Sequence, residues 1–512
     1  MTVDENTPVL IGAGQASDPV DAPGYHRWSA VDLAAAAART ALEDAGIGAA
    51  SVEVVAGVRQ FENSTPFAKA PLGRADNYPR AVAARVGASP RHAVLEVSGG
   101  QSSQHLVTEF AKAIAAGRAG TVLIVGSEAI STTRALAGKP GAPDFTETVG
   151  GQLEDRGYGL DGLINGYEIE HGFRGAPVQY ALLENARRRR LGAGREEYAR
   201  AIGELFAPFT KVAASNPHAA APTERSAAEL MTVTDRNRLI ADPYPRFVVA
   251  RDQVNQGAAV VLTSVGSARA AGVPEEGWVY LHGYADLREL NVMDRPDLSA
   301  GPASVRAAAT ALERAGVTAG EIDAFDLYSC FAIPVFNICD GLGIAPDDPR
   351  GLTLTGGLPF FGGAGNNYSM HAIAEAVAVT RARPGSRVFV GANGGIMSKY
   401  SAAVYSAEPR PFVVCDDTAA QEAITAGNKA PVTEYPGEGA EATVETCTVT
   451  AGRNGARTGI VVGRLRDGSR TLAVTAPGDS DSAGFLGGEP FGGRFTISTD
   501  GKRNTGSGFR PA

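Results

Sequence analysis

Apolar and polar positions recur along this chain in the same order twice. "AAARTALEDAGIGAASVEVVAGVRQF" (36–61) and "AAATALERAGVTAGEIDAFDLYSCF" (307–331) align at a constant offset of 270, which sets Ala41, Leu42, Glu43, Gly46 and Phe61 on Ala311, Leu312, Glu313, Gly316 and Phe331. Each copy reads as an amphipathic helix stopped by glycine, a short loop and an apolar strand. The helix 101–116 with "TVLIVG" (121–126) is echoed by the helix 366–382 with "RVFVG" (387–391). Helix-then-strand units predict two α/β halves, each on a buried, parallel-stranded sheet. A long insert, about 135–245, separates them and is rich in helix formers and basic residues. From 440 to 512 the pattern changes to apolar–polar alternation with turns at Asp467-Gly468 and Asp500-Gly501, and helical periodicity is missing. That predicts a separate all-β domain, a small closed antiparallel barrel of five or six strands. The expected units are 1–265, 266–407 and 408–512, with the proline-bearing segment 406–440 as tether.

Composition narrows the class. The 512 residues are 44% hydrophobic and 20% charged, with 63 glycines and 30 prolines, as expected of a globular protein with closely packed helices and many tight turns. A formal charge of −9 argues against general nucleic-acid binding, while leaving room for a local basic patch that holds a phosphorylated ligand. No run reaches the roughly 20 apolar residues of a membrane span. The acidic start "MTVDENTPVLIG" leads directly into a strand, so no signal peptide is expected. Cys330, Cys339, Cys415 and Cys447 lack metal-ligand spacing, which predicts a reduced, cytoplasmic protein without a metal site. Arg187 to Arg190 read first as a solvated helix end, with a phosphate clamp as the alternative.

Candidate chemistry gathers at "EVSGGQSSQHLVTEFAKAIAAG" (96–117). A strand enters a glycine turn and leaves as a helix, a layout that converges backbone N–H groups and the helix dipole on one point. Repeat symmetry sets "FFGGAGNNYSMH" (360–371) opposite it, so the starts of two helices should face one cavity. Neither turn contains a cysteine.

Several strings carry a family resemblance: "ASNPHA" (214–219), "IADPY" (240–244), "NQGAAVVL" (255–262), "YSCF" (328–331) and "TGGLPFFGGAGNNY" (355–368). Their collinear order over about residues 6–405 resembles the thiolase superfamily, in its sterol-carrier-type branch. With its extra C-terminal β-domain the chain is most similar to thiolase-like proteins of type 1. The resemblance implies a duplicated thiolase fold of α/β/α/β/α layers with an insertion domain, and CoA or an acyl-CoA of lipid or sterol metabolism as ligand, with no covalently bound cofactor. It also implies an acetyl-CoA acetyltransferase-like activity, but the residues for it are missing. The position of the nucleophilic cysteine falls on Gly100, that of the loop histidine on Gly363, and that of the late cysteine near Ala392; the other family histidine is Tyr328. Glycine cannot attack or move a proton.

What remains can bind, and three readings stay open. The first is recognition of a CoA thioester without thiolase turnover, in which Gly99, Gln101, Ser102, Gly362, Asn366 and Asn367 contact the ligand and the N–H groups of Gly362 to Gly365 form an anion nest. Ser102 and Ser103 read otherwise as helix caps. The second is a tyrosine-dependent CoA-ester lyase or acyltransferase using Tyr328, Tyr368 and His371; some cysteine-less thiolase-fold proteins, which this chain resembles, are CoA-ester retro-aldol lyases that use tyrosines. A phenol serves there as an oxyanion donor, or as an acid if its pKa is lowered. Packing at a sheet edge is the structural alternative for both tyrosines, and packed or solvent-facing positions for His371 and His105. Cys330 is expected to be buried and inert. The third reading is a scaffold whose barrel docks a protein partner. The partners expected are thus an acyl-CoA small molecule and no nucleic acid or membrane, in a monomer or homodimer.

Overall fold

Ser29 opens helix α1 (Ala30–Ala45): its hydroxyl accepts the Asp32 N–H while the Asp32 carboxylate accepts the Ser29 N–H, a reciprocal cap that contributes about 1 kcal/mol. Gly46 ends the helix at φ 64°, a left-handed geometry free of Cβ strain only for glycine. The buried face of α1 is mostly alanine, and strand β1 (Pro8–Ser17) answers with glycine. A Cβ on Gly12 or Gly14 would lie 2.1 or 2.2 Å from the carbonyl oxygen of Ala41 or Ala37. The second half repeats the device, since a Cβ on Gly283 would lie 2.1 Å from the carbonyl of Ala311, the counterpart of Ala41. The repeat in the sequence is therefore a repeat of packing.

The computed structural model describes residues 3–160, 163–452 and 455–512. The N-terminal half continues with β2 (Val52–Gly57), α2 (Tyr78–Val86), β3 (His92–Leu95), α3 (Ser102–Ala115) and β4 (Thr121–Ala129). Then come α4 (Ile130–Leu136), the short β5 (Glu154–Asp155), α5 (Gly166–Glu170), α6 (Ala176–Leu191), α7 (Arg195–Ser215), α8 (Ala227–Met231), the hairpin β6 (Leu239–Ala241) and β7 (Tyr244–Pro245), and β8 (Asn255–Ser264). Helix α9 (Val265–Ala270) leads to β9 (Val279–Arg288), α10 (Pro302–Ala315), β10 (Ala324–Leu327), α11 (Ala332–Leu342), α12 (Tyr368–Ala382), β11 (Arg387–Gly394) and β12 (Lys399–Ser406).

The strands order as β10–β11–β12–β9–β1–β8–β4–β2–β3–β5, with the halves joined where Val9 and Leu10 pair Tyr280 and Val279. Helices α3 and α12 fill the space between the two halves' sheets: Leu106, Phe110, Ile373 and Val377 share one core with Ile124, Val260, Val388 and Val390. Helices α1 and α2 cover one outer face and α10 and α11 the other, which gives the five layers. The halves are not parallel throughout, contrary to the helix-then-strand expectation. β2 runs parallel to β3 and β4, and β10 to β11, but β1, β8, β9 and β12 lie antiparallel to their neighbours. At β11–β12 the reason is plain: four residues connect them, too few for a crossover. Among the described residues no helix is long and apolar enough to cross a membrane.

After the tether, which carries α13 (Thr418–Thr425), five strands close a barrel: β13 (Ala440–Ala451), β14 (Arg457–Leu465), β15 (Arg470–Thr475), β16 (Arg494–Thr499) and β17 (Asn504–Arg510). Closure is by the parallel pair β15–β17. The region is not free of helix, as the alternation suggested. Helix α14 (Ser480–Leu486), capped by Asp479, puts Ala483 and Leu486 into the barrel core; it is too short for its period to register. β13 also pairs β6 of the insertion at Thr450–Ala241, so barrel and insertion share a sheet. Helix α6 lies between that barrel strand and α11, and this corrects the reading of its arginines. Arg187 and Arg188 are buried, the first on Asp340 (2.7 Å) and the second on Glu489 (2.7 Å), while Arg190 also reaches Asp340 (2.6 Å). Arg187, Arg188 and Arg190 serve protein carboxylates, not a phosphate, and the solvated helix end describes only Arg189 and Arg190, which are exposed.

One histidine couples the insertion to the barrel. His171 Nδ1 lies 2.7 Å from the Tyr167 carbonyl, and its Nε2 accepts the Asn504 N–H at 2.7 Å. The pair of contacts accommodates one ring proton, on Nδ1, and burial holds the imidazole below its ordinary 6.5. The unfolded chain therefore takes up the second proton first: stability is flat above about pH 6.5 and falls below it. Thermal melts from pH 7.5 to 5 should show a steeper acid decline for wild type than for His171→Asn; parallel declines would disprove the coupling.

Candidate functional site

The turn Val97–Gln101 ends β3 and starts α3, with Gly99 at φ 144°. The Gly99 N–H donates to Asn366 Oδ1 (2.9 Å), and Asn366 Nδ2 donates to the Arg59 carbonyl (2.6 Å). Ser369 Oγ, in the first turn of α12, donates to the Gly100 carbonyl (2.6 Å). The two glycine turns are thereby tied together, and both border one cavity of about 730 Å³, floored by Gly99, Gly100, Tyr328, Cys330 and Asn393. Its walls are largely apolar, with Phe61, Leu163, Tyr180, Phe331 and Ile396 prominent.

Gly100 decides what the floor can do. A Cβ there would sit 2.1 Å from the Tyr328 hydroxyl oxygen and 2.5 Å from the Asn393 carbonyl oxygen. The phenol occupies the space a side chain at position 100 would need. Tyr328 is 7% exposed, packs edge-on against Tyr368 (5.4 Å between rings), and its hydroxyl hydrogen-bonds to no other described residue. Burial, with the Cys330 thiol beside it, pushes the phenol well above its ordinary value near 10. Tyr328 is thus a neutral O–H donor, not the acid of lowered pKa. Gly363 also lines the cavity, but a Cβ there would meet the Arg251 carbonyl oxygen at 3.3 Å and Leu358 Cδ2 at 3.4 Å. The absence of a histidine at 363 has no such steric cause.

The other candidates scatter. Tyr368 is fully buried behind the floor, 2.5 Å from Thr355 Oγ1 and donating to Asp326 Oδ1 (3.2 Å), and does not line the cavity. His371 is equally buried, with Nδ1 2.7 Å from Gln15 Oε1, and burial followed by the neighbouring His218 holds it well below 6.5, as a neutral ring outside the cavity. Ser102 is no cap, because its hydroxyl turns back to the Val97 carbonyl (2.8 Å); Ser103 donates to Asn367 Oδ1 (3.3 Å). The Gln101 carboxamide packs against Gly99 and Gly394 and belongs to a second recess behind the turn. Gly362 and Asn367 also face away from the cavity. Two of the four anion-nest donors are engaged within the protein: the Gly363 N–H goes to the Arg251 carbonyl and the Gly365 N–H to that of Gly363. His105 faces the second recess; burial would lower it, but Asp286, Glu96 and Glu109 outweigh burial and push it up to about 9. Cys330 lines the floor as an inert thiol, pushed up to about 12 by burial.

Three features of the site are not legible in the motifs. Asn393, not Ala392, faces the cavity from β11. Tyr180, on the insertion helix α6, accepts from Asn393 Nδ2 (2.9 Å) and stacks on Phe331 (4.6 Å between rings). Beyond Val249 and Ala250 the cavity shares a wall with a recess of about 440 Å³ lined by Arg134, Arg225, Arg238, Arg246 and Arg251. Arg134 pairs with Asp252 (2.6 Å), whereas the other four have no carboxylate partner among the described residues. Burial, then Arg246, depresses the pKa of Arg251. A chain of net charge −9 thus keeps an unneutralised cationic patch at the mouth of an apolar cavity.

Residues 420–502 match the family model described as the thiolase-like protein type 1 additional C-terminal domain. No curated protein matches the chain. Among solved structures, a monomeric SCP2-thiolase-like protein type 1 from Mycobacterium smegmatis is 48% identical over 99% of this chain and 100% of its own, with a TM-score of 0.85. The Ltp2-ChsH2(DUF35) aldolase matches at 19% identity over 80% of this chain and 100% of its own, TM-score 0.59. Human mitochondrial 3-ketoacyl-CoA thiolase matches at 17% over 79% and 99%, TM-score 0.56; these two likenesses are of fold. On the full-length match the chain belongs to the SCP2-thiolase-like proteins of type 1.

Proposed function

We propose that this protein binds CoA thioesters of lipid metabolism, sterol side chains included, without thiolase turnover. One observation carries the reading: the phenol of Tyr328 fills the place of a side chain at position 100, on the floor of an apolar cavity that opens onto unpaired arginines. The arginines suit the phosphates of CoA, since guanidinium groups bind phosphate oxygens in bidentate fashion. The apolar walls suit the pantetheine arm and acyl chain. The tyrosine-lyase reading uses the same hydroxyl but needs a base, and among the described residues the only carboxylate lining the cavity, Asp252, is paired with Arg134. We place the protein in the cytoplasm, consistent with four free cysteines, and as a monomer, consistent with β5 occupying the outer edge of β3.

Calorimetry with acyl-CoA should give a Kd on the order of micromolar, about −8 kcal/mol, and Arg251→Ala should weaken it about tenfold at low salt. Mass spectrometry after incubation with 3-ketoacyl-CoA plus CoA should return intact esters and an unmodified chain. Thiolysis products, an acyl adduct, or cleavage of a 3-hydroxyacyl-CoA would each defeat the proposal.

A further inference from the structure

Three guanidinium groups at the cavity mouth have nothing to bind. Arg225, Arg246 and Arg251 all line the recess there, and their side chains make no hydrogen bond or ion pair among the described residues. Each is nonetheless held in place. The Arg225 N–H donates to Thr210 Oγ1 (3.0 Å), and its guanidinium lies over the Phe247 ring (4.2 Å to the centroid). The Arg246 N–H donates to the Arg238 carbonyl (2.9 Å), and the next N–H, that of Phe247, to Oδ1 of the buried Asn237 (2.8 Å). Arg251 is tied through its backbone to the second glycine loop: its N–H donates to the Leu358 carbonyl (3.1 Å), and its carbonyl accepts the Gly363 N–H (2.7 Å). Burial first, then Arg246 and Arg225, hold the Arg251 group below its ordinary value against the pull of Asp252. Of the two carboxylates lining the recess, Asp252 is taken by Arg134 (2.6 Å) and Asp235 pairs with none of the three.

Like charges kept together without counter-ions repel one another and weaken the fold, and a bound anion removes that cost. The number of guanidinium groups indicates which anion. A phosphodiester offers a single charge and two free oxygens. A phosphomonoester offers three oxygens and, near neutral pH, almost two charges. Three guanidinium forks match the second in both respects. CoA carries one phosphomonoester, the 3′-phosphate of its ribose, besides the diphosphate that leads to pantetheine. Resting on the thioester reading above, we infer that Arg225, Arg246 and Arg251 form a phosphomonoester site that reads this 3′-phosphate. Arg238, which lines both recess and cavity, is left to the diphosphate. The ligand class is then free CoA thioesters. A thioester carried on a protein is excluded, because its phosphopantetheine ends in a phosphodiester.

The test is calorimetric titration of the full-length chain at low salt with butyryl-CoA, butyryl-dephospho-CoA, adenosine 3′,5′-bisphosphate and adenosine 5′-monophosphate. Butyryl-CoA should bind at least about tenfold more tightly than its dephospho form, the range of charge-assisted hydrogen bonds. Adenosine 3′,5′-bisphosphate should outbind the monophosphate by a similar factor. Arg246 is exposed, so its truncation leaves the core untouched; Arg246→Ala should narrow the first difference to about threefold or less. Equal affinities of wild type for butyryl-CoA and its dephospho form would overturn the phosphomonoester site alone. A difference undiminished in Arg246→Ala would overturn its placement on these three arginines. Failure of butyryl-CoA itself to bind would overturn the thioester reading and this inference with it. The ligand series on the wild-type chain decides whether the 3′-phosphate is read even if the variant does not fold.

Discussion

Gly100→Cys does not restore a thiolase; it yields a destabilised protein that takes up no acyl group from 3-ketoacyl-CoA. The new Cβ falls 2.1 Å from the Tyr328 hydroxyl oxygen and 2.5 Å from the Asn393 carbonyl oxygen. The phenol is the end of a side chain, but a buried one wedged against Tyr368, and the carbonyl is backbone of β11, so neither yields freely. Overpacking of this kind costs about 3 kcal/mol or more. Chemical denaturation of Gly100→Ala, Tyr328→Ala and the double variant should then reveal coupling. Removing the phenol relieves the first clash and leaves the second, so the double variant recovers only part of the loss. Gly363→Ala, whose Cβ meets nothing closer than 3.3 Å, should cost no more than about 1 kcal/mol. Additive losses at 100 and 328, or a stable Gly100→Cys that acylates, would contradict this account. Position 100 has become structural, and the residue that made it so is Tyr328.

Only one side of this floor is legible in the sequence. The 270-residue repeat predicted the two turns and their convergence, because glycine stops and alanine faces are short-range signals that survive in a linear string. Gly100 reads there as an empty nucleophile position and Tyr328 as a replacement for a family histidine, and only the fold shows that the second fills the space beside the first. Tyr368 and His371 follow the second turn as Tyr328 follows a strand, yet both sit behind the cavity, since sequence proximity to a turn does not say which side of the helix faces it. Asn393 and Tyr180 carried no motif. The arginines of the mouth come from α4 (Arg134) and from scattered positions between Arg225 and Arg251, which fold together around Val249 and Ala250. Conversely, the conspicuous run Arg187 to Arg190 reads as surface, yet its first two members are buried, because the helix bearing them is sandwiched between α11 and the barrel.

That sandwich bears on whether the barrel is an accessory or part of the body, and Arg470 is where the question is sharpest. Its side chain is 0% exposed, yet it is an ion. It pairs twice with Glu445 of β13 (2.7 and 2.8 Å) and donates to the carbonyls of Met293 (3.0 Å), Arg295 and Pro296 (3.2 Å) in the loop after β9. Burial would raise the Glu445 carboxyl, but Arg470 and Arg464 outweigh it and hold the group below its ordinary range. A lone ammonium cannot span a carboxylate and three carbonyls, so Arg470→Lys should rescue little. Arg470→Ala leaves those carbonyls and part of Glu445 desolvated without a partner, a loss of about 3–5 kcal/mol. Equilibrium denaturation should register it, and limited proteolysis should show cleavage within 406–440 that wild type resists, as the barrel leaves the body. Because Thr446 Oγ1 and Asn185 Nδ2 bind the barrel to the helix that carries Tyr180, the same variant should also weaken acyl-CoA binding. An undiminished midpoint with undiminished affinity would mean that the barrel is an appendage, free to serve another partner.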